Sequence, residues 1–288
     1  MHSISRFLQA RLGRFWLVAV YLFLYAPLVF LVVFSFNSTR QDGVFTGFSW
    51  RWYSALWADT RLVEGFLLSL KVALLTATLS AILGALAAFV LVRYKRFLGR
   101  PIFVGLVNAP LVMPEVIIGL SLLLLMVAVQ RTVGWPDRGM ATIVLGHTLL
   151  GMAYAAVVIQ SRLREVDRSI EEAAMDLGCR PFQVFFLVTL PSIAPAMVAA
   201  WLLTFTLSFD DVVISEFLSG PGVTTLPQVI FGYARRGINP SIYAAATLLI
   251  SVVSLGIIAY SVIVARQQRQ RLREINAAVR VARLTRSS

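Results

Sequence analysis

Long apolar runs separated by short polar segments dominate the pattern of this 288-residue chain. Each run is long enough to cross a hydrocarbon core of about 30 Å as a helix that rises about 1.5 Å per residue. Six runs can be placed along the chain, at 15–36, 66–92, 102–129, 141–160, 192–214 and 242–265. The pattern predicts an all-α integral membrane protein with six transmembrane helices.

Composition supports this class and excludes a soluble domain, since 58% of the residues are hydrophobic, 14% are charged and the mean hydropathy is +0.80. The net charge of +12 would suggest nucleic acid in a soluble chain, but its distribution follows membrane topology. Of the 26 Lys and Arg residues, 18 lie in segments on one side of the predicted spans and 7 in loops on the other, and Lys71 is expected in the first turn of the second span. The positive-inside rule places both termini in the cytoplasm, so we expect no nucleic-acid partner. The richer side comprises 1–14, 93–101, 161–191 and 266–288.

The domain organisation that follows is a single transmembrane domain, 15–265, between a cytoplasmic N-terminus, 1–14, and a basic cytoplasmic tail, 266–288. The first apolar run is longer than the roughly 7 to 15 residues of a secretory signal, so we expect it to remain as a span. The third run carries two prolines, Pro110 and Pro114, whose freed backbone groups should face protein or water. A stripe of small residues in the second span predicts close helix packing: Ala81, Gly84, Ala85 and Ala88.

The cytoplasmic loop 161–191 carries unusual local signals. Ser169 and Glu172 have the spacing of a capping box and predict the start of a short helix. Gly178 is the residue type that ends a helix in the left-handed conformation, and Pro181 follows it. The loop therefore predicts a short capped helix instead of an irregular connection.

The same helix presents small apolar side chains at Ala173 and Ala174, and a second short amphipathic segment, 182–190, leads to Pro191. Two short helices with a small-residue face suit insertion into a groove of a partner protein. An ordinary loop at the membrane interface is the alternative interpretation.

Several other chemistries lack the residues that they need. A P-loop requires Gly-Lys-Ser/Thr, whereas the lysines of this chain, Lys71 and Lys95, follow Leu70 and Tyr94. Two histidines and one cysteine, Cys179, predict neither a metal centre nor a disulfide, and His147 is expected to be a hydrogen-bonded packing residue. We expect no enzyme activity, no cofactor and no ATP site of its own. A passive channel or secondary transporter remains an alternative, although its cytoplasmic helix pair would have no role.

The loop 161–191 resembles a segment of a known protein family. Glu-Ala-Ala is followed after three residues by glycine, and after nine more by Val-Thr-Leu-Pro at 188–191, which is similar to the E-A-A loop of ABC importer permeases. The resemblance implies that this loop couples the permease to an ATPase. The residues to which it assigns that coupling are Glu172, Ala173, Ala174, Gly178, Leu190 and Pro191.

Other segments resemble the polyamine branch of that family, which carries putrescine or spermidine. The order of 108–119, 145–147, 207–214 and 219–221 is typical of this branch, and the loop 134–140 resembles its putrescine type. One departure is Glu115, where the resemblance implies aspartate. Another small cationic or organic solute is therefore the alternative substrate.

The resemblance implies a MetI-like type I ABC importer fold in a bacterial inner membrane. It further implies a second permease chain, two ATPase subunits that bind the ATP, and a periplasmic polyamine-binding protein. Within this assembly the chain would be a transmembrane permease working by alternating access.

A diamine is a dication at neutral pH, so its path would need carboxylates or aromatic faces. Asp210 and Asp211 are about 100° apart on a helix, so we expect only one of them to face the path. Glu115, next to Pro114, has as its alternative role the neutralisation of a helix N-terminus. The candidate pathway residues are Asp210, Asp211, Glu115, Trp201 and Phe205.

Overall fold

A computed structural model describes residues 2–39, 44–236 and 240–251, together with isolated positions between 254 and 266. Within these residues the secondary structure is helical, apart from a single bridge between Asn37 and Phe48. The helices are α1 (His2–Phe34), α2 (Arg51–Ala58), α3 (Thr60–Arg93), α4 (Arg100–Val112), α5 (Glu115–Val133), α6 (Met140–Glu165), α7 (Arg168–Asp176), α8 (Pro181–Val184), α9 (Leu190–Phe209), α10 (Val213–Leu218), α11 (Leu226–Arg236) and α12 (Pro240–Ser251).

Five helical segments among the described residues are long and apolar enough to cross a membrane, which confirms the all-α membrane class. They are Leu12–Phe34, Thr60–Arg93, Glu115–Val133, Met140–Glu165 and Pro181–Phe209. Of the sixth predicted span, 242–265, the structure describes a helix as far as Ser251 and a few positions beyond it. The predicted tail lies outside the described residues from 267 onward.

The third predicted span is interrupted in its proline-containing segment, as the sequence indicates, and divides into α4 and α5. Met113 and Pro114 both have extended backbone conformations between the two helices. Pro114 has no N–H to donate and its ring disfavours helical geometry at the preceding residue, so the helix ends there. Pro110, by contrast, is tolerated inside α4.

The second span begins earlier than the apolar pattern indicates. Asp59 caps α3, since its carboxylate accepts hydrogen bonds from the backbone N–H groups of Arg61 (3.1 Å) and Leu62 (3.3 Å). The expectation that Lys71 lies in the first turn of this span is therefore wrong. Lys71 is exposed about three turns into α3.

The chain divides into two compact units, and the larger is Asp59–Arg236. Its core is built where α3, α6 and α9 pack through small residues. A Cβ added to Gly84 of α3 would lie 2.6 Å from the Cβ of Ala155 on α6, so only glycine permits this approach. Ala81, Ala85 and Ala88 are buried on α3, which confirms the predicted small-residue stripe.

The other unit combines Met1–Ala58 and Gly237–Ser288. In its N-terminal part, Asn37 organises the segment after α1. Its side chain accepts from the N–H of Thr46 (2.9 Å) and donates to the carbonyl of Val44 (2.8 Å), while the Trp52 indole donates to the Asn37 carbonyl (2.6 Å). These bonds join Asn37 to the segment 44–46 and to the start of α2.

Candidate functional site

Helix α7 starts one residue after Asp167, whose carboxylate accepts the backbone N–H of Ser169 at 3.0 Å. The predicted capping box of Ser169 and Glu172 is therefore wrong, because a better N-cap acceptor lies two residues upstream. Hydrogen bonds from Ser169 lower the pKa of the Asp167 carboxyl from its usual value of 3.8. Glu172 does not reach back to the cap. Its Oε1 forms an exposed ion pair with Arg168 Nε at 3.1 Å.

The end of α7 agrees with the sequence prediction. Gly178 has φ of +90°, the left-handed region that glycine adopts at little cost. The N–H of Gly178 donates to the Met175 carbonyl (2.9 Å) and that of Cys179 to the Ala174 carbonyl (3.1 Å). This is a Schellman motif, and it gives the loop a defined turn directly after the helix.

The predicted second short helix, 182–190, is not a separate element. It joins α8, a π-helical turn (Phe185–Thr189) and α9 into one continuous helical segment, Pro181–Phe209. Pro191 has no N–H for the regular ladder, and the wider π turn lets the N–H of Leu190 donate to the Phe185 carbonyl. The hydroxyl of Ser192 donates to the Val188 carbonyl at 2.7 Å, which adds a side-chain bond directly after the π turn.

Glu171 is the residue that sequence reasoning missed at this end of the protein. Its Oε1 accepts hydrogen bonds from Arg93 Nη2 (2.9 Å), Arg93 Nε (3.2 Å) and Thr189 Oγ1 (2.8 Å). All three side chains are largely buried. We call Arg93, Glu171 and Thr189 the coupling node, since they join the end of α3, helix α7 and the turn that precedes α9.

The outer surface of α7 is free of such contacts. Glu172, Ala173 and Gly178 are exposed, and Ala174 is half-buried. Ile170 is 52% exposed and Leu177 88%, so large apolar side chains flank the small ones. A rigid short helix with an apolar, small-residue surface is suited to lie in a groove of another protein. Among the other residues assigned to coupling, Leu190 is half-buried and Pro191 is exposed.

The two adjacent aspartates lie at the opposite end of α9 and have different surroundings. Asp210 is the C-cap residue of α9 and its side chain is exposed. The Asp211 carboxylate accepts the backbone N–H groups of Ser215 (2.8 Å) and Ile214 (3.3 Å) in the first turn of α10. Asp211 therefore supplies acceptors that the start of α10 needs.

His147 of α6 completes the environment of Asp211. Its Nε2 lies 3.0 Å from Asp211 Oδ2 and 3.2 Å from Ser215 Oγ, and its Nδ1 lies 2.7 Å from Ser208 Oγ. The expected hydrogen bonds of His147 are confirmed, but no local pattern indicated that its partners lie more than 60 residues away. We call His147, Ser208, Asp211 and Ser215 the histidine cluster.

Glu115 is the first residue of α5 and is exposed, directly after Pro114. That position agrees with neutralisation of the helix N-terminus. Glu115 also lines, with His147 and Asp211, a cavity of about 20 Å³, which is enough for about one water molecule. Two of the predicted pathway acids therefore share one small cavity. No group of three metal-binding side chains occurs in the described part of the chain.

The aromatic candidates form a row along α9. Trp201 and Phe205 are stacked at 5.4 Å, and Phe205 and Phe209 at 5.8 Å. The Trp201 indole donates to Thr78 Oγ1 of α3 at 3.1 Å. The row ends at Phe209, the residue before Asp210, so aromatic faces lead along the helix toward the exposed acid.

Comparison with known proteins identifies the class of this helical membrane protein. The family described as binding-protein-dependent transport system inner membrane component matches residues 80–272. The chain is 55% identical over 260 residues to the putrescine transport system permease protein PotI of Escherichia coli K12, covering 90% of this chain and 92% of that protein. It is 36% identical over 265 residues to the spermidine/putrescine transport system permease protein PotC of Haemophilus influenzae, covering 92% and 99%.

Among solved structures, a bacterial ABC transporter that imports the acidic polysaccharide alginate has the same fold, with a TM-score of 0.67 at 15% identity over 90% of this chain and 98% of that one. The chain belongs to the family of binding-protein-dependent transport system inner membrane components. It is a permease subunit of an ABC importer with the MetI-like fold, not an enzyme, and the resemblance carried by its E-A-A loop is confirmed.

Proposed function

We propose that this permease carries a polyamine, with putrescine as its main substrate, from the periplasm to the cytoplasm. The observation that carries the proposal is the high identity to a putrescine permease along nearly the whole of both chains. The chain would work beside a second permease chain, with two ATPase subunits that bind the ATP and a periplasmic polyamine-binding protein. Transport of another small cationic or organic solute is the alternative that the experiment must exclude.

The proposed orientation has both termini in the cytoplasm of the cell, as the excess of Lys and Arg on that side supports. Cys179 would then face the cytoplasm, beside the end of α7. A membrane-impermeant thiol reagent should label Cys179 only after cells are permeabilised. Ready labelling in intact cells would contradict the orientation.

The proposed coupling element is α7 together with the turn at Gly178. Its exposed residues Glu172 and Ala173 would enter a cleft of an ATPase subunit, and the half-buried Ala174 would allow close approach. The coupling node supports this role, because Glu171 ties α7 to α3 and to the base of α9 through buried hydrogen bonds. Movement of α7 would then reach two membrane helices as a rigid-body displacement.

The proposed path for the dication runs at the other end of α9. Its 20 residues span about 30 Å, so the acids lie about one membrane thickness from the coupling node. Asp210 is exposed and would meet the cation, Trp201 and Phe205 would offer ring faces, and Asp211 and Glu115 would border the path at their shared cavity.

The experiment is uptake of labelled putrescine into proteoliposomes that contain the complete transporter with ATP inside and loaded binding protein outside. Putrescine should be taken up, ATP hydrolysis should rise with the loaded binding protein, and unlabelled spermidine should compete less well than unlabelled putrescine. Uptake that is insensitive to both polyamines would contradict the substrate. Uptake without ATP would support the channel alternative.

Two variants test the coupling assignment in the same preparation. Glu172→Lys reverses charge on the exposed surface of α7, and Gly178→Trp places a bulky side chain where φ is +90°. Both should abolish stimulated uptake while the complex still inserts. Glu165→Lys is the matched control, since Glu165 is equally exposed and ion-paired but belongs to α6. Wild-type uptake and ATP hydrolysis in both variants would overturn the coupling role.

A further inference from the structure

A cleft at the proposed cytoplasmic end of the larger unit has no role in the function described so far. It has a volume of about 790 Å³ and lies where the end of α3, the start of α4 and the end of α6 meet. A second cleft of about 470 Å³ shares three of its lining residues, so the two are continuous. The shared residues are Leu91, Arg100 and Arg164.

The cleft is strongly cationic, with five basic and two acidic side chains in its lining. Neither acid neutralises it, since Glu165 pairs with Arg162 outside the cleft and the Asp167 carboxylate caps α7. Two of the five cations pair with acids of α7. Lys95, Arg100 and Arg164 have no carboxylate partner among the described residues, and the only side chain that Arg164 contacts by hydrogen bond is the amide of Gln160 (3.2 Å).

Arg100 shows most directly that an acceptor is needed here. Its Nε is completely buried and has no hydrogen-bond partner, which is costly for a charged donor. Arg100 is also the first residue of α4, and no side chain caps that helix. The partial positive charge of the helix N-terminus therefore adds to the guanidinium charge. An anion with several acceptor oxygens in the cleft would offset both charges.

The surroundings favour an anion that is attached to a lipid. The connection between α3 and α4 exposes aromatic and apolar side chains, with Tyr94 56% and Leu98 fully exposed, as is typical of a membrane interface. The second cleft continues toward Val104 and Val157, which offer an apolar wall beside the cations. A phosphate in the first cleft with acyl chains along this wall matches both parts.

We propose that this cleft binds the phosphate of an anionic phospholipid headgroup, with Arg100, Arg164 and Lys95 as its cationic ligands. Basic pockets between membrane helices on the cytoplasmic side are suited to such headgroups. Arg93 and Arg168, which also line the cleft, hold Glu171 and Glu172 of α7. The bound lipid therefore lies beside the coupling helix. The proposal rests on the proposed orientation of the chain in the membrane and does not depend on the polyamine.

The test measures lipid retained by the complete transporter in a neutral detergent, by native mass spectrometry after titration with dioleoyl phosphatidylglycerol or dioleoyl phosphatidylcholine. The wild-type complex should retain phosphatidylglycerol preferentially. The double variant Arg100→Gln with Arg164→Gln should lower that retention by about tenfold, because it removes two cations that each strengthen binding to an anionic lipid. Arg100→Lys keeps the charge without the planar fork and should give an intermediate value.

The matched control is the double variant Arg131→Gln with Arg138→Gln, which removes one arginine from the last turn of α5 and one from the loop before α6 and should leave retention unchanged. Equal retention in the cleft variant and this control would overturn the site. A wild-type complex without preference for phosphatidylglycerol would also overturn the proposal. Displacement of the lipid by millimolar inorganic phosphate, with no dependence on the acyl chains, would assign the cleft to free phosphate and overturn the lipid proposal.

Discussion

The coupling node and the histidine cluster lie at opposite ends of α9. Each contains a carboxylate that accepts several hydrogen bonds, but the two carboxylates have different structural roles. In the coupling node, one carboxylate, Glu171, accepts from an arginine and a threonine and joins three separate elements. In the histidine cluster, Asp211 accepts mainly from the start of its own next helix and from His147. The first arrangement joins separate helices, and the second stabilises the N-terminus of one short helix, α10.

The two regions share a further feature, since each contains two consecutive acids with different surroundings. Oε1 of Glu171 and both oxygens of Asp211 accept hydrogen bonds inside the protein, whereas Glu172 and Asp210 are exposed. A carboxylate that is largely buried and already accepts from the protein is poorly placed to meet a ligand. In the proposed function, the exposed neighbour would contact an ATPase subunit in one region and a cation in the other. The comparison therefore assigns structure to one acid of each pair and leaves the other for an external partner.

The largest effect is expected from breaking the coupling node. Arg93→Ala leaves the buried Glu171 without its cation and should lower the free energy of unfolding by about 3 kcal/mol, as removal of one partner of a buried pair does. Stimulated ATP hydrolysis should fall more than basal hydrolysis. Thermal unfolding of the complex in nanodiscs and parallel hydrolysis assays measure both quantities.

The exposed pair of the same helix provides the control for that change. Arg168→Ala removes the partner of Glu172 and should cost about 0.5 kcal/mol or less, because exposed ion pairs contribute little. The exchange of Arg93→Glu with Glu171→Arg should recover part of the stability. Equal losses for Arg93→Ala and Arg168→Ala would contradict the contrast between the buried and the exposed acid.

A smaller effect is expected in the histidine cluster. Asp211→Asn replaces one acceptor oxygen by a donor and weakens both the α10 cap and the contact with His147, at a cost of about 1 to 2 kcal/mol. Asp210→Asn should change stability by less than about 0.5 kcal/mol, since the side chain is exposed. At matched surface expression it should nevertheless slow putrescine uptake.

Measurements of unfolding temperature and of putrescine uptake should therefore distinguish Asp210→Asn from Asp211→Asn. The result that would sink this assignment is wild-type uptake with Asp210→Asn, because the exposed acid would then have no role in the path. Loss of uptake without loss of stability in Asp211→Asn would also reverse the two roles. Glu115→Gln should affect uptake less than Asp210→Asn if its role is to neutralise the N-terminus of α5.

The helical membrane class, the small-residue stripe and the Gly178 turn followed from local patterns, since each depends on residues that are close in sequence. The division of the third span was only partly predicted. Its two prolines indicated irregular backbone and a helix start at Glu115, but the apolar pattern continues through Met113 and Pro114, so hydropathy alone did not divide the run. Hydropathy shows only that an apolar run is long enough to cross the bilayer. The helix ends where a proline removes a backbone N–H donor.

The roles of the consecutive acids could not be predicted from the sequence. Choosing between Glu171 and Glu172 requires the position of Arg93, which lies 78 residues before Glu171. Choosing between Asp210 and Asp211 requires His147, which lies 64 residues before Asp211. Helix geometry showed that neighbours point in different directions, but only the tertiary structure shows which direction is buried.

The smallest effect concerns pH and the start of α7. Because the folded-state pKa of Asp167 is lowered by hydrogen bonds from Ser169, the cap stabilises α7 above the usual value of 3.8 and loses this effect as pH falls through the lowered pKa. Asp167→Asn keeps an acceptor that does not titrate. Hydrogen exchange of the first-turn amides of α7 in the complete transporter should match in both proteins near neutral pH. Below about pH 3.8 this exchange should become faster in the wild type than in the variant.

Asp176→Asn, at the far end of the helix, is the control and should follow the wild type. A constant ratio between wild type and Asp167→Asn at every pH would show that the charge of Asp167 does not hold the coupling helix at its start.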